Sequence, residues 1–402
     1  MKITIAGAGI GGLTAALCLN KFGYEVQILE RSSELVEVGA GIQLGANALK
    51  VMDYLGLMER IKSSAVSPEK ILFRHYQSGE VLHQMSLGSS YRTNFDAPYY
   101  HLHRADLQRI LVDELRQLNP DSLRLNSTVN DYLETEDSVH IHLADNTVIS
   151  SDCLIGADGI KSKIRDKLLH GQSKHIQPIF SGYEAWRAVV DVNKLPNEWM
   201  DKVATNYVGP EKHMVTYYLR NQKLVNMVAV VKSKPFKGNA DLNNDSWVTK
   251  ANWSELKSDF NGWHDSVQQL IDVLDQDECY RWPIYHHRSF QRWTSNRVSL
   301  LGDAAHSMLP YMASGAAMAI EDACILSRCI NKTESVTEAF GLYQKIRFNR
   351  RSKVHTATQR LGKIYHMKHD LARKVAFAGM KLMSAKQQDF LAGYNALTVE
   401  LD

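Results

Sequence analysis

Residues 2–12 read Lys-Ile-Thr-Ile-Ala-Gly-Ala-Gly-Ile-Gly-Gly, a short apolar run that enters a cluster of glycines. Three of these glycines, Gly7, Gly9 and Gly12, have the spacing Gly-x-Gly-x-x-Gly. Helix-forming residues with apolar spacing follow at 11–22, and Gly23 can end that helix. A strand, a glycine turn and a helix in this order predict the first unit of a parallel α/β sheet.

The glycine turn has the features of a phosphate-binding turn. Gly7 permits the tight turn, Gly9 lets a pyrophosphate approach the backbone, and Gly12 allows close packing of helix on strand. The N-terminus of the helix adds free N–H groups and the positive end of its dipole. Glu30 ends the second strand pattern 18 positions after Gly12, where a carboxylate can accept hydrogen bonds from ribose hydroxyls. These features predict a dinucleotide site and leave FAD and NAD as alternatives.

A second strand–loop–helix pattern lies near residue 300. An apolar strand pattern runs into Gly302-Asp303 and precedes a helix pattern that begins at Gly315. Asp303 can bind a sugar hydroxyl there, or it can be an ordinary helix N-cap. A further buried strand pattern leads into Gly-Ala-Asp-Gly at 156–159. We therefore expect one nucleotide-binding domain that is assembled from distant parts of the chain.

The segment between these motifs differs in character. Strand-like runs rich in Val, Tyr and Trp dominate residues 178–295, with one helix expected near 265–275. The sequence thus predicts an α/β fold in which a discontinuous Rossmann-like FAD-binding or NAD-binding domain carries an inserted, mainly-β substrate domain and C-terminal helices. The expected boundaries are 1–177 and 296–370 for the nucleotide-binding domain, 178–295 for the sheet domain and 371–402 for the C-terminal helices.

Composition excludes several classes of protein. The 402 residues are 44% hydrophobic and 23% charged, with a net charge of +3, which argues against disorder and against a nucleic-acid partner. No apolar run approaches the ~20 residues of a membrane span, and the chain enters a strand at once without a signal-peptide pattern, so we expect a cytoplasmic protein. The five scattered cysteines and the His286-His287 pair indicate no metal site. The basic stretch at 336–370 is expected to be a solvated face.

Beyond these patterns, the chain resembles the group A flavoprotein aromatic hydroxylases over nearly its whole length. The motifs that carry the resemblance are Gly-Ala-Gly-Ile-Gly-Gly at 7–12, Gly-Ala-Asp-Gly at 156–159 and Gly-Asp-Ala-Ala-His at 302–306, supported by residues 39–44, 103–107, Trp282 and Trp293. Within that family, residues 213–218, 310–323 and 390–395 are most similar to the salicylate hydroxylase and 6-hydroxynicotinate 3-monooxygenase branch.

The resemblance implies a set of FAD-binding residues. Glu30 and Arg31 would hold the adenosine end, the backbone of Val129 would meet the adenine, and Arg104 would reach the flavin or the pyrophosphate. Asp303 would bind the ribityl or pyrophosphate part, and the backbone after Gly315, at Ala316, would face the flavin edge. Asp158 would serve FAD and NADH or NADPH as the co-substrate. Gln43 lies in the glycine-rich segment near the flavin, where the 6-hydroxynicotinate branch has a histidine base.

The resemblance also implies the reaction, in which a flavin hydroperoxide hydroxylates an electron-rich aromatic ring with O2 as the oxidant. His213 and Tyr217 share one face of a strand, so they are the expected catalytic residues; the alternative is ordinary sheet packing. Arg187 can pair with a substrate carboxylate or form a surface ion pair. The expected substrate is a small hydroxylated aromatic acid of the salicylate or hydroxybenzoate type. The alternatives are an N-heteroaromatic acid such as 6-hydroxynicotinate, a larger polycyclic or urate-like substrate, and a non-catalytic flavin-binding regulator. A monomer and a homodimer are both open.

Overall fold

The computed structural model describes residues 1–35, 41–170, 177–233 and 249–402. The described strands are β1 (Lys2–Ala6), β2 (Glu25–Leu29), β3 (Gly41–Leu44), β4 (Lys70–His75), β5 (Val81–Ser86), β6 (Tyr100–His103), β7 (Leu123–Arg124), β8 (Val129–Glu134), β9 (Val139–Leu143), β10 (Val148–Ser151), β11 (Cys153–Gly156), β12 (Ile179–Asp191), β13 (Ala204–Gly209), β14 (Lys212–Leu219), β15 (Leu224–Lys232), β16 (Thr249–Lys250), β17 (Tyr280–His286) and β18 (Val298–Leu300). The described helices are α1 (Ile10–Lys21), α2 (Ala46–Tyr54), α3 (Met58–Lys62), α4 (Ser89–Phe95), α5 (Arg104–Leu118), α6 (Lys163–Leu168), α7 (Trp253–Asp259), α8 (Asp265–Asp272), α9 (Asp303–His306), α10 (Gly315–Lys332), α11 (Val336–Tyr365) and α12 (Asp370–Ala392). Among these described helices, none is long and apolar enough to cross a membrane.

The glycine motifs lie on a five-stranded parallel sheet with the order β18-β11-β1-β2-β7. Ile3 and Ile5 of β1 are fully buried, and α1 packs beside the sheet against α5 and α10. Because the strands are parallel, the carboxyl ends of β1, β2, β11 and β18 meet at one edge. The expected α/β fold with a discontinuous nucleotide-binding domain is thereby confirmed, since β18 pairs with β11 across a long stretch of chain.

A larger sheet of eight strands has the order β16-β17-β12-β15-β14-β13-β4-β5. Its neighbours are antiparallel except β4 and β13, which are parallel. Two of its strands, β4 and β5, come from residues 70–86, which precede the expected sheet domain at 178–295. The inserted segment therefore forms most of this sheet but not all of it. The single helix expected near 265–275 is accompanied by a second one, α7, directly before it.

Alternation along β14 separates two environments. Met214 and Tyr218 belong to an apolar cluster that includes Leu256 of α7 and Leu270 of α8. The ring of His213 instead lies 5.7 Å from that of Tyr311, which follows the Gly302-Asp303 turn. One face of the sheet thus packs on its own helices, and the other faces the nucleotide-binding domain.

The basic stretch at 336–370 is not a solvated face throughout. It is mainly α11, and Arg347, Arg350 and Arg351 are only 0%, 7% and 2% exposed, so the expectation is wrong for these three residues. Lys345 and Lys353 are exposed. The difference arises because α11 packs against α10, whose acidic side chains form ion pairs with Arg347 and Arg350.

The described part of the glycine-rich segment at 39–44 forms a strand. Gly41–Leu44 forms β3, which pairs antiparallel with β6. Gly39 and Ala40, which contribute to the resemblance, lie outside the described residues. The pairing places Gln43 directly opposite His101.

Candidate functional site

The turn after β1 has the geometry that its glycines predict. Gly7 has a φ of +107°, and a Cβ at this position would lie 2.5 Å from the carbonyl oxygen of Ala157. A Cβ at Gly12 would lie 2.1 Å from the carbonyl oxygen of Gly7, so only glycine fits between helix and strand. A Cβ at Gly9 would meet nothing within 4 Å. The space in front of Gly9 at the N-terminus of α1 is therefore open to a phosphate group.

Glu30 lies directly after β2 and contacts this turn. Its carboxylate accepts a hydrogen bond from the backbone N–H of Ala8 at 2.7 Å and another from that of Ser32 at 2.9 Å. Each oxygen keeps a lone pair for a further donor such as a ribose hydroxyl. Glu30 thus fastens the glycine turn to the second strand and still offers acceptors at the sheet edge.

The turn after β18 presents an unpaired carboxylate. Asp303 is exposed and has no hydrogen bond or ion pair with any described residue. Gly302, with a φ of +61°, turns the chain and donates its N–H to Asp322 at 3.1 Å. Asp322 also accepts from His306 at 2.5 Å and from Arg347 at 2.6 Å. The hydrogen bond to fully buried Asp322 therefore fixes the turn that carries Asp303.

Charge compensation around Asp322 is complete. Burial alone would raise the pKa of Asp322, but the charges of His306 and Arg347 hold it at about 2. Glu321 beside it accepts hydrogen bonds from Arg347 at 2.7 Å and Arg350 at 3.0 Å, and its pKa is likewise below the ordinary value despite burial. The sequence analysis missed this network, although an adjacent pair of acids in an otherwise apolar helix was a signal for it.

The Gly-Ala-Asp-Gly motif follows β11 and contributes a buried acid. Asp158 has one carboxylate oxygen, Oδ1, that is shut off from solvent and has no hydrogen-bond partner among the described residues. Burial raises the pKa of Asp158 above its ordinary value. Ser314 likewise has a buried hydroxyl without a partner there, and a Cβ at Gly315 would meet nothing within 4 Å. Unpaired polar atoms and open backbone at one sheet edge fit a bound flavin dinucleotide.

The other expected cofactor residues are spread around the same domain. Arg31 is exposed two residues after β2, Arg104 is the exposed first residue of α5, and Val129 begins β8. Ala316 lies in the first turn of α10. Gln43 accepts a hydrogen bond from the hydroxyl of Tyr99 at 2.7 Å.

His213 lies on the face of β14 that is turned toward the nucleotide-binding domain. It is 3% exposed, and its Nδ1 lies 2.8 Å from Nε2 of His366 at the end of α11. Burial and the neighbouring His366 lower the pKa of His213 well below its ordinary value, so the ring is neutral at pH 7. Because Nδ1 is bonded to His366, Nε2 is the nitrogen left for a ligand. His366 was not expected from the sequence, since nothing local marks a residue so distant along the chain.

Tyr217 is on the same face, two residues beyond Val215 along the strand. It is 3% exposed, and its ring lies 4.4 Å from that of His101. Burial raises the pKa of Tyr217 above its ordinary value, although Arg187 and a hydrogen bond with Gln43 oppose the rise, so the hydroxyl stays protonated. The structure therefore brings Tyr217 to Gln43 of β3 and His213 to Tyr311, so both side chains contact residues outside the eight-stranded sheet.

Comparison with known proteins extends over nearly the whole chain. The profile of the protein family described as "FAD binding domain" matches residues 1–350. The 3-hydroxybenzoate 6-hydroxylase of Klebsiella oxytoca is 33% identical over 368 residues, which is 91% of this chain and 89% of that protein. The 6-hydroxynicotinate 3-monooxygenase of Pseudomonas fluorescens is 34% identical over 363 residues, 88% of this chain and 89% of that protein. A solved structure of a salicylate hydroxylase substrate complex matches with a TM-score of 0.84 at 25% identity, over 98% of this chain and 96% of that one.

Proposed function

This chain belongs to the FAD binding domain family of aromatic hydroxylases, and from that membership we propose that it hydroxylates a hydroxybenzoate-type aromatic acid. It is an FAD-dependent enzyme of the monooxygenase class. The observation that carries the proposal is the position of His213 and Tyr217. Both are buried on the sheet face that meets the loops of the FAD-binding domain, where an aromatic ring would lie between sheet and cofactor.

We assign the residues that hold FAD from the geometry of the sheet edge. Open backbone at Gly9 and the N-terminus of α1 would bind the pyrophosphate, with Gly7 and Gly12 shaping the turn. Glu30 would accept from the ribose, and the unpaired carboxylate of Asp303 would accept from the ribityl chain. FAD supplies the electron transfer and the oxygen activation of the reaction.

The remaining cofactor contacts follow from position. Arg31 and the backbone of Val129 would contact the adenosine, and Arg104 starts α5, which contacts the glycine turn through Gln108. Backbone N–H groups at Gly315 and Ala316 begin α10 and would face the flavin edge. Asp158, which follows β11, and Gln43 of β3 would line the FAD site.

His213 and Tyr217 would divide the proton chemistry between them. Neutral His213 can accept the phenolic proton at Nε2 in the tautomer whose Nδ1–H donates a hydrogen bond to Nε2 of His366. Protonated Tyr217 can donate a hydrogen bond and orient the ring.

NADH or NADPH would be the electron donor and O2 the oxidant. No described residue is assigned to the donor beyond Asp158. All five cysteines are buried and unpaired, which fits the reducing cytoplasm where these coenzymes are abundant.

A second candidate substrate is an N-heteroaromatic acid such as 6-hydroxynicotinate, because two relatives are named 6-hydroxynicotinate 3-monooxygenase. Gln43 favours the hydroxybenzoate, since its amide cannot take the proton that the histidine base of that branch is inferred to take. A larger polycyclic or urate-like substrate and a non-catalytic regulator rank below both.

The test is NADH and NADPH oxidation with simultaneous oxygen uptake by the purified FAD-loaded protein. A panel of hydroxybenzoates, salicylate, 6-hydroxynicotinate and urate is added singly, with benzoate as the control that lacks the activating hydroxyl. We expect a hydroxybenzoate to stimulate oxidation and to be recovered with one added hydroxyl. Stimulation by urate alone, or oxidation that no aromatic compound changes, would contradict the proposal.

A further inference from the structure

Arg187 lies in β12 on the same side of the eight-stranded sheet as His213 and Tyr217. It is opposite Val228 of β15, and Val228 is opposite Val215 of β14. Directly paired residues share a face, so Arg187 stands level with the midpoint between His213 and Tyr217. With strands about 4.8 Å apart, its Cα is about 10 Å from that of Val215. Val228 and Val215 therefore lie on the sheet surface between Arg187 and the two proposed catalytic side chains.

The guanidinium of Arg187 has no acidic partner. Its Nε is shut off from solvent without a hydrogen bond, and no residue in the described part of the chain forms a hydrogen bond or ion pair with it. Its recorded neighbours are the ring of Trp282, 5.7 Å away, and the side chains of Tyr217 and Arg104. Burial lowers the pKa of Arg187; Tyr217 opposes this effect and the cation of Arg104 adds to it.

Arg281 on the neighbouring strand provides a contrast within the same sheet. It lies on the opposite face, paired with Trp186, and its guanidinium contacts both Glu184 and Glu255. The sheet therefore compensates a partly buried arginine with acids where no ligand is expected. At Arg187, which is partly buried and whose Nε is shut off from solvent, the sheet provides no acid, and such a charge is costly unless an anion binds it.

We propose that Arg187 anchors the carboxylate of the aromatic substrate and so restricts the enzyme to aromatic acids. The assignment rests on the proposed function. A guanidinium binds a carboxylate through two parallel hydrogen bonds. The ring would then lie over Val215 and Val228, with its hydroxyl directed toward His213. Tyr217, beside the arginine, would orient the same ring.

The experiment compares an acid with its neutral analogue on the FAD-loaded enzyme. Binding of 3-hydroxybenzoate and of 3-hydroxybenzamide is measured by the change in flavin absorbance for the wild type, Arg187→Met and Arg187→Lys. We expect Arg187→Met to weaken binding of the acid on the order of 10- to 100-fold and to leave the amide unchanged. Arg187→Lys keeps the charge but not the two-pronged geometry, so its loss should be smaller.

Arg281→Met is the matched control. It should lower the melting temperature, because Glu184 and Glu255 lose their partner, and it should leave both affinities unchanged. Arg187→Met should keep or raise the melting temperature and should retain FAD.

Three results would overturn the assignment. Equal weakening of acid and amide would make Arg187 a packing residue. Loss of FAD from Arg187→Met with unchanged acid binding in the remaining holoenzyme would assign the anion to the cofactor. Unchanged acid binding in every Arg187 variant would leave the anchor elsewhere. If the wild-type protein binds no aromatic acid of the panel, the proposed function is wrong. This outcome differs from the three above, in which only the role of Arg187 is wrong.

Discussion

Arg347 in the FAD-binding domain is fully buried and Arg187 in the eight-stranded sheet is partly buried, and the surroundings of the two cations differ. Arg347 donates to Asp322 at 2.6 Å and to Glu321 at 2.7 Å, and all three side chains are fully buried. Arg187 has no acid within reach among the described residues. In the first region the charge of the arginine is neutralised by acids of the same fold. In the second region the charge of the arginine is available to a ligand.

The same contrast extends to the way each region is built. The cofactor edge is made from backbone turns at the ends of adjacent parallel strands, stiffened by the buried acid below Gly302. The substrate face is made from side chains on β12, β14 and the residue after α11, which come from segments distant along the chain. A rigid backbone cradle suits a cofactor that stays bound, whereas side chains can be tuned to one substrate.

The largest expected effect tests the compensated region. Arg347→Met keeps the chain length but strips Asp322 and Glu321 of their main donor. We expect a loss of about 3–5 kcal/mol in the free energy of unfolding, measured by chemical denaturation of the FAD-loaded protein. The matched substitution Arg187→Met should show no such loss. Equal losses at the two arginines would remove the contrast.

On the substrate side, His213→Ala should slow hydroxylation by about 10²–10⁴-fold, because a general base is lost. NAD(P)H oxidation should suffer less, since hydride transfer needs no ionised substrate. Product formed per NAD(P)H consumed is the measurement, with FAD content as the control. Full coupling in this variant, together with a lower melting temperature, would show that His213 only packs.

The pH dependence of the same step follows from the pKa of His213. A base acts in its unprotonated form, and burial together with His366 keeps the pKa of His213 well below its ordinary value of about 6.5. Hydroxylation in the wild type should therefore stay level as the pH falls through 6.5 and decline only at lower pH. His366→Ala removes a group that lowers the pKa of His213, so the decline should move to higher pH. A profile identical in both proteins would exclude a role for the His213–His366 pair.

A smaller effect is expected at the cofactor edge. Glu30→Ala removes the acceptor of the Ala8 and Ser32 N–H groups together with the proposed ribose acceptor. FAD binding should weaken by about 1–3 kcal/mol, measured as the dissociation constant of FAD, and Glu30→Gln should recover part of it. Substrate affinity of the reloaded enzyme should not change. A change in substrate affinity without a change in FAD affinity would contradict the assignment of Glu30 to the FAD site.

The smallest effect concerns Tyr217. Tyr217→Phe keeps the ring against His101 and removes one hydroxyl, so substrate binding should weaken by about 0.5–1.5 kcal/mol. FAD affinity serves as the control. A lower melting temperature with unaltered substrate binding would mean that the hydroxyl serves only the hydrogen bond with Gln43.

Much of the cofactor region could be predicted from the sequence, because its signals are local. The glycine spacing at 7–12 dictates a turn that only glycine can form, and the apolar runs at β1, β11 and β18 read as buried parallel strands. The helix expected to begin at Gly315 begins at that residue. Backbone sterics and side-chain periodicity act over a few residues, so a short segment carries enough information to specify them.

The compensation of buried charge depended on tertiary structure. Arg347, Arg350 and Arg351 read as a solvated basic run because charge alone does not reveal that α10 supplies acids to two of them. The sequence shows His213 and Arg187 as plausible ligands, but not that His366 occupies one nitrogen of the first and that no acid meets the second. Whether a buried ion is paired is a property of two distant segments, and only the folded chain brings them within hydrogen-bond distance.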